Sequence, residues 1–319
     1  MKRYWKKTRW PIAILIALFV FDYWTFPLLS KSPEGCFDQG RNGIWMRYPW
    51  YFGEHTDGEV QQMASRLCED GFAYAYFHAR DVRPDGSLRY PHWAEAKRLN
   101  RTIAQAGPAL KRVAWIYVGN SRGRGAVDLL NEEVRTKLVS EARRLVVECG
   151  FQGIQWDYEI CGDGERGMLR LLEDSRKALP PATWLGAAVP TWYPWPLSSV
   201  GWSESYFRAV ADRCDQIAVM AYDSAAYSPR LYSWFVAQQV AIVGRAVKGS
   251  RCRYVIGVPT YEDGTRSHNP RAECLTIALR AVKSALAEKS SPRFEGVAIF
   301  ADYTTDSTEW RTYRNLWRR

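Results

Sequence analysis

The sequence predicts an α/β protein, a single-domain (β/α)8 TIM barrel preceded by an apolar N-terminal helix. Three observations carry this. Eight short runs rich in β-branched and aromatic residues recur along the chain with helix-like stretches between them, the alternation expected of a closed parallel barrel. The chain has 319 residues, 47% of them hydrophobic and 24% charged, enough for one large core. Polar residues gather at the carboxyl ends of the runs, where barrel enzymes place their chemistry.

The strand-like runs are GIWMRY (43–48), FAYAYFH (72–78), RVAWIYVG (112–119), GIQWDYE (153–159), WLGAAVP (184–190), QIAVMAYD (216–223), YVIGVPTY (254–261) and GVAIFADY (296–303). The clearest helix pattern runs from Val127 to Cys149. Leu130, Val134, Leu138, Ala142 and Leu145 form a stripe of helical period, and Gly150 is placed to end it. No internal repeat or low-complexity segment interrupts the series, so residues 43–319 read as one barrel.

Residues 1–9 form a basic flank, 10–30 a signal anchor or signal peptide, and 31–42 a polar linker. PIAILIALFVF (11–21) is wholly apolar. Extended through Asp22 to Leu29, it is long enough to span a bilayer. Trp10, Tyr23 and Trp24 stand where an aromatic belt would lie, and no small-x-small cleavage site follows, so an uncleaved anchor is the expectation. The basic flank would stay in the cytoplasm and the barrel outside it, on the periplasmic or extracellular face; cleavage would make the barrel secreted.

The net charge is +10, but Lys2, Arg3, Lys6, Lys7 and Arg9 supply half of it, and the remaining 39 Lys and Arg nearly balance 34 acids. Without a dense basic stripe, nucleic acid is not an expected partner. The seven cysteines lack CxxC spacing and a nearby His, so no metal or other cofactor is expected; buried thiols are their default reading. The expected partners are a glycan and, through the N-terminal segment, a membrane. A monomer is expected. Fifteen Trp and 18 Tyr suit either a large aromatic core or a cleft whose flat rings stack on sugars.

The fourth run concentrates the chemistry. Strand side chains alternate, so Gln155, Asp157 and Glu159 share one face while Ile154, Trp156 and Tyr158 share the other. The apolar set fits outward packing on helices, which turns the polar set into the barrel. Two carboxyls two residues apart lie roughly 6–7 Å apart along a strand. In a confined site they cannot both ionise freely; one is held protonated, as glycosidic bond cleavage requires of its acid. Gln155, one pleat before Asp157, is placed to donate a hydrogen bond to it. Tyr48, Trp50, Tyr51, His78, Asn120, Trp192 and Tyr193 also stand at run ends; each alone reads as structural before it reads as a sugar contact.

Gly-Phe-Gln-Gly-Ile-Gln-Trp-Asp-Tyr-Glu (150–159) resembles the strand-four signature of glycoside hydrolase family 18, the chitinase-like family. Gly153, Asp157 and Glu159 match it, whereas Gln152 and Gln155 stand where the family has Asp. Met220-Ala221-Tyr222-Asp223, Gly257-Val258-Pro259-Thr260-Tyr261 and Gly296-Val297-Ala298-Ile299-Phe300 are similar to its strand-six, strand-seven and strand-eight segments, Phe300 replacing a Trp. The resemblance implies a substrate-assisted retaining hydrolase of N-acetylhexosamine-containing polysaccharide. It implies Glu159 as general acid and base, Asp157 orienting the acetamido group, Tyr222 bonding its oxygen, and Asp223, Met220, Gln155, Phe300, Trp192 and Tyr48 contacting or supporting substrate. Two other readings compete: a barrel that binds carbohydrate without turnover, and a two-carboxylate glycosidase without substrate assistance.

Overall fold

In the computed structural model, residues 2–119, 126–194 and 201–318 are described, with residues 2–10 as backbone only. Helix α1 (Lys2–Leu29) precedes the barrel. Strands β1 (Asn42–Met46), β2 (Phe72–Asp81), β3 (Lys111–Gly119), β4 (Gly153–Glu159), β5 (Trp184–Val189), β6 (Gln216–Met220), β7 (Arg253–Pro259) and β8 (Phe294–Phe300) pair in chain order, and β8 closes on β1. Every neighbouring pair is parallel. The helices are α2 (Tyr48–Phe52), α3 (Asp57–Glu69), α4 (Trp93–Ala106), α5 (Glu132–Val147), α6 (Arg166–Ala178), α7 (Glu204–Ala211), α8 (Pro229–Val247), α9 (Leu275–Glu288) and α10 (Ser307–Thr312), and α10 runs into a π-helical turn, Tyr313–Trp317.

The (β/α)8 barrel is therefore confirmed, with strand ends moved by local chemistry. The sixth run stops at Met220, where the Ala221 N–H turns back onto Val219 O at 2.9 Å, and Asp223 beyond it takes a left-handed backbone, φ +52°. The helix expected from Val127 begins at Glu132, since the Asn131 side chain accepts the Glu133 backbone N–H at 2.9 Å and caps it there. Val127 and Leu129 instead bury in the connection from β3. Gly150 turns the chain at φ +85°, as its place after α5 requires.

Alternation along the strands separates two cores. Ile44, Ala75, Ile116, Ile154, Trp156, Ile217 and Ile256 point outward onto the helices. Trp45, Tyr74, Tyr76, Trp115, Trp184 and Val255 fill the interior. The floor of that interior is polar: the Tyr76 hydroxyl donates to Gln216 Oε1 (2.6 Å), Gln216 Nε2 donates to Glu295 (2.6 Å), and the Arg41 guanidinium sits 2.8 Å from the same carboxylate. Buried Glu295 is thus matched by donors rather than left bare.

The stretch 31–42, expected as a linker, joins the barrel base at its far end. Phe37 packs against the outer core, and Asp38 accepts from Asn42 Nδ2 at 2.8 Å. Trp317 is fully buried there and donates from Nε1 to Asn42 Oδ1 (2.9 Å), which also accepts the Val297 backbone N–H (3.0 Å). Arg314 holds Asp70 through two bonds of 2.6 and 2.8 Å. The C-terminal turn thereby staples β1, β8 and α3 at the base. The seven cysteines are free thiols; Cys214 and Cys252 face each other with sulfurs 3.7 Å apart.

Trp317→Ala should empty a large buried volume and leave Asn42 short of a donor. Such truncations cost about 3–5 kcal/mol, which would appear as a fall in the urea unfolding midpoint. An unchanged midpoint would mean that the turn does not brace the base.

Candidate active site

The inward face of β4 carries its polar residues up the barrel axis. Gln155 is fully buried and Asp157 is 3% exposed, while Glu159, at the strand's end, is only partly covered. The expected facing of the strand holds. Asp157 Oδ2 accepts a 2.7 Å hydrogen bond from the Trp115 indole, and Gln155 Oε1 accepts one of 2.9 Å from the Trp45 indole. The bond expected from the Gln155 amide to Asp157 is replaced by this one. Gln155 Nε2 and Asp157 Oδ1 have no hydrogen-bond partner among the described residues. Both indoles point into the barrel: Trp115 stands on the adjacent strand β3, in register with Gln155, and Trp45 reaches Gln155 from β1, which does not pair with β4.

Electrostatics follow from this placement. Burial, then the charge of Glu159, push the Asp157 carboxyl well above the usual carboxylate range; the Trp115 bond pulls the other way. Burial, then the charge of Asp223, also raise Glu159. The two acids share one confined space, and their protonation is a property of the pair.

Tyr222 follows β6 and lies beside this pair. Its ring stacks on Phe300 at the end of β8 (4.8 Å between centroids, 22° between planes) and meets Trp45 and Tyr261 edge-on at 6.3 Å. A Cβ on Gly257 would lie 3.1 Å from the Tyr222 ring and 2.8 Å from Val219 O, so only glycine leaves that room. Burial raises the Tyr222 hydroxyl well above its ordinary value, with Asp157 the next cause, which keeps it a neutral donor. Met220 packs against the same inner cluster, and Asp223 accepts from Ser267 Oγ at 3.5 Å.

Glu159, Asp157, Tyr222, Gln155, Met220, Asp223 and Phe300 thus surround the barrel mouth together. Trp192 and Tyr48 do not join them. Trp192 packs on the outer core and faces Trp234 of α8 at 6.4 Å, while Tyr48 lies under Arg80 (4.6 Å) and against Phe52. His78 stacks on Trp115 at 3.9 Å, and burial lowers its pKa to about 3, so the ring is neutral. Trp50 donates to Asp302 Oδ2 (2.7 Å), and Tyr51 to Tyr90 O (3.1 Å). Asn120 lies outside the described residues. Trp45, Trp115 and Tyr117 escape a search for polar strand ends. The period-two rule applied to the first and third runs would have found them, since Tyr117 pairs in register with Asp157.

The carboxyl pair of β4, walled by aromatic rings, thus lies at the carboxyl end of a parallel barrel, where such barrels place their sites. No protein-family model and no curated protein matches the chain by sequence. Solved structures do match in fold. The spore cortex-lytic enzyme SleL of Bacillus cereus superposes with a TM-score of 0.61 at 13% identity, over 89% of this chain and 76% of that one. A plant class V chitinase mutant from Cycas revoluta, in complex with (GlcNAc)3, matches with a TM-score of 0.61 at 15% identity over 87% and 99%. The Group IV chitinase of Ostrinia furnacalis matches with a TM-score of 0.61 at 13% identity over 88% and 100%. The fold is thus the one those chitinases share.

Asp157→Asn should stabilise the protein at neutral pH. A carboxyl whose folded pKa is raised favours the fold fully only below its unfolded value, about 3.9, and loses that contribution as pH rises through the folded pKa. Asparagine keeps an acceptor for Trp115 without the charge. The gain, about 1 kcal/mol or more at pH 7, should shrink toward pH 4. Thermal melts of both proteins at the two pH values measure it, and a difference independent of pH would refute the buried titration.

Proposed function

We propose that the chain is a retaining glycoside hydrolase acting on N-acetylhexosamine-containing polysaccharide, with Glu159 as general acid and base. The observation that carries this is the Asp157–Glu159 pair on one inward face of β4, Asp157 buried and Glu159 at the open end. The likeness in fold to chitinase structures, one of them holding (GlcNAc)3, supports the same substrate class.

The chemistry follows from the side chains. Glu159, its pKa raised by burial and by Asp223, donates its proton to the glycosidic oxygen as the bond to the anomeric carbon breaks. The acetamido oxygen of the same sugar attacks that carbon and forms an oxazolinium ion. Asp157 accepts the acetamido N–H, and its ionised form is favoured as positive charge develops there. The Tyr222 hydroxyl, held neutral, donates to the acetamido oxygen and sets its angle of attack. A water then adds to the anomeric carbon from the side Glu159 occupies and gives its proton to the Glu159 carboxylate. The acid is regenerated and the configuration retained. Phe300, Trp45 and Tyr222 supply the apolar floor beneath the sugar ring.

We also infer that Pro11–Leu29 tethers the enzyme to a membrane with the barrel outside the cytoplasm. These 19 residues have a mean hydropathy of 2.0, and none of them is buried.

Glu159→Gln should lower hydrolysis of labelled N-acetylglucosamine oligomers by about 10²–10⁴-fold while the oligomers still bind. In the wild type, the rate should fall as pH rises through the elevated Glu159 pKa, because the acid must be protonated to act. A mutant retaining more than a few per cent of the rate would reassign the acid; a wild type that binds oligomers without cleaving them would mark a carbohydrate-binding barrel.

A further inference from the structure

The last turns of α1 lie against the barrel wall, and the direction in which they run fixes how the barrel stands. In a parallel barrel the helices descend from the mouth to the base, so the first turns of α8 and α9 mark the mouth rim. Asp22 of α1 meets Arg230, in the first turn of α8, at 2.6 Å. Trp24 lies under the Arg271 guanidinium at 3.7 Å, just ahead of α9. Further along, Pro27 O and Ser30 Oγ accept from Arg280, lower on α9, at 2.7 and 3.1 Å. The chain then continues to β1, whose first residue is at the base. Helix α1 therefore descends along the wall, and its apolar residues 11–21 project beyond the mouth.

Length sharpens this. The apolar run of 19 residues is about 28 Å long as a helix, close to the roughly 30 Å of bilayer hydrocarbon. Residues 11–21 alone supply only about 16 Å. Completing the span from the other end would draw Arg9, Lys7 and Lys6 out of the cytoplasmic flank and into hydrocarbon, which cations strongly avoid. Completing it from the barrel end sinks the rim contacts into the interface, where Asp22 is already paired with Arg230. The rim is built for that layer. Leu231 and Trp234 of α8 and Tyr227 just before it are 50%, 45% and 52% exposed. Asn269 joins this patch to the helix, donating to both Tyr23 Oη and Tyr227 O at 3.4 Å. An amphipathic aromatic, an exposed leucine and flanking arginines beside a spanning helix match the bilayer interface.

We propose that the barrel mouth faces the membrane, with Tyr227, Leu231 and Trp234 seated in the interfacial layer and Arg271 against anionic lipid headgroups. The pocket then opens onto the headgroup surface, and the glycan it receives is one carried at or emerging from the membrane. This rests on reading Pro11–Leu29 as a membrane span.

The full chain, reconstituted into nanodiscs of phosphatidylcholine and phosphatidylglycerol, tests both readings separately. p-Benzoylphenylalanine is placed at Phe19 in the apolar run, at Leu231 or Trp234 on the rim, or at Lys289, exposed at the base, and lipid adducts are read by mass spectrometry after irradiation. Adducts are expected from Phe19, Leu231 and Trp234 and none from Lys289. Adducts from Phe19 with none from either rim position, or with as many from Lys289, would overturn the orientation and leave the tether standing. No adduct from Phe19 would overturn the tether, and this proposal with it.

Discussion

A carboxyl group inside a barrel of aromatic rings is the constraint on which the rest of the site depends. Asp157 is buried, and among the described residues it has one hydrogen-bond donor, the Trp115 indole. One neutral hydrogen bond does not replace the hydration of a carboxylate, so the group holds its proton more tightly than an exposed acid. Its neighbour Glu159 adds like charge. The result is a pair that resists losing both protons, the condition the proposed general-acid role of Glu159 requires.

Much of this was legible in the sequence because it depends on periodicity. Period-two alternation put Gln155, Asp157 and Glu159 on one face, and the bonds of the first two to the inner indoles Trp45 and Trp115 agree. The same rule would have turned Trp45, Trp115 and Tyr117 inward. The donor to Asp157 was not legible: Gln155, nearest to it in sequence, lies on its own strand, while the donor that reaches it, Trp115, comes from β3. Helix starts shifted for a similar reason, since Asn131 caps by a local bond that an apolar stripe does not reveal. Trp192 and Tyr48 stand just past strand ends, beyond the reach of strand alternation, and their ring partners are Trp234 and Phe52 rather than the inner cluster.

The loop after β6 shows how the mouth is held. Ser224 donates from N and Oγ to the Glu273 carboxylate, at 3.2 and 2.6 Å, and the Ala226 N–H reaches the same group at 3.2 Å. His268 Nδ1 is 3.2 Å from it, and the His268 ring leans on Tyr261 at 4.1 Å. Buried Glu273 thus ties the loop that carries Tyr222 and Asp223 to the connection after β7. Asp223 and Ala225 both take left-handed backbone, φ +52° and +56°, a cost of roughly 1–3 kcal/mol each. A fully bonded carboxylate is the kind of anchor that keeps such a conformation in place. Ser224 and Ala226 lie far in sequence from His268 and Glu273, and nothing in composition announces that the two segments meet.

Gln155 bears on how the pair titrates. An acid at that position would add a third proton-binding group to a space that already holds Asp157 and Glu159, with Asp223 close enough to raise Glu159. Four coupled carboxyls would spread their titration over a wide range and blur which one carries the proton. The amide removes one of them. Its oxygen is committed to Trp45, which orients the Nε2 end away from that indole and leaves it free for a group entering the barrel. Neutral Gln155 therefore trades a proton-sharing partner for a fixed dipole, and leaves the protonation of the site to the two acids at the end of β4.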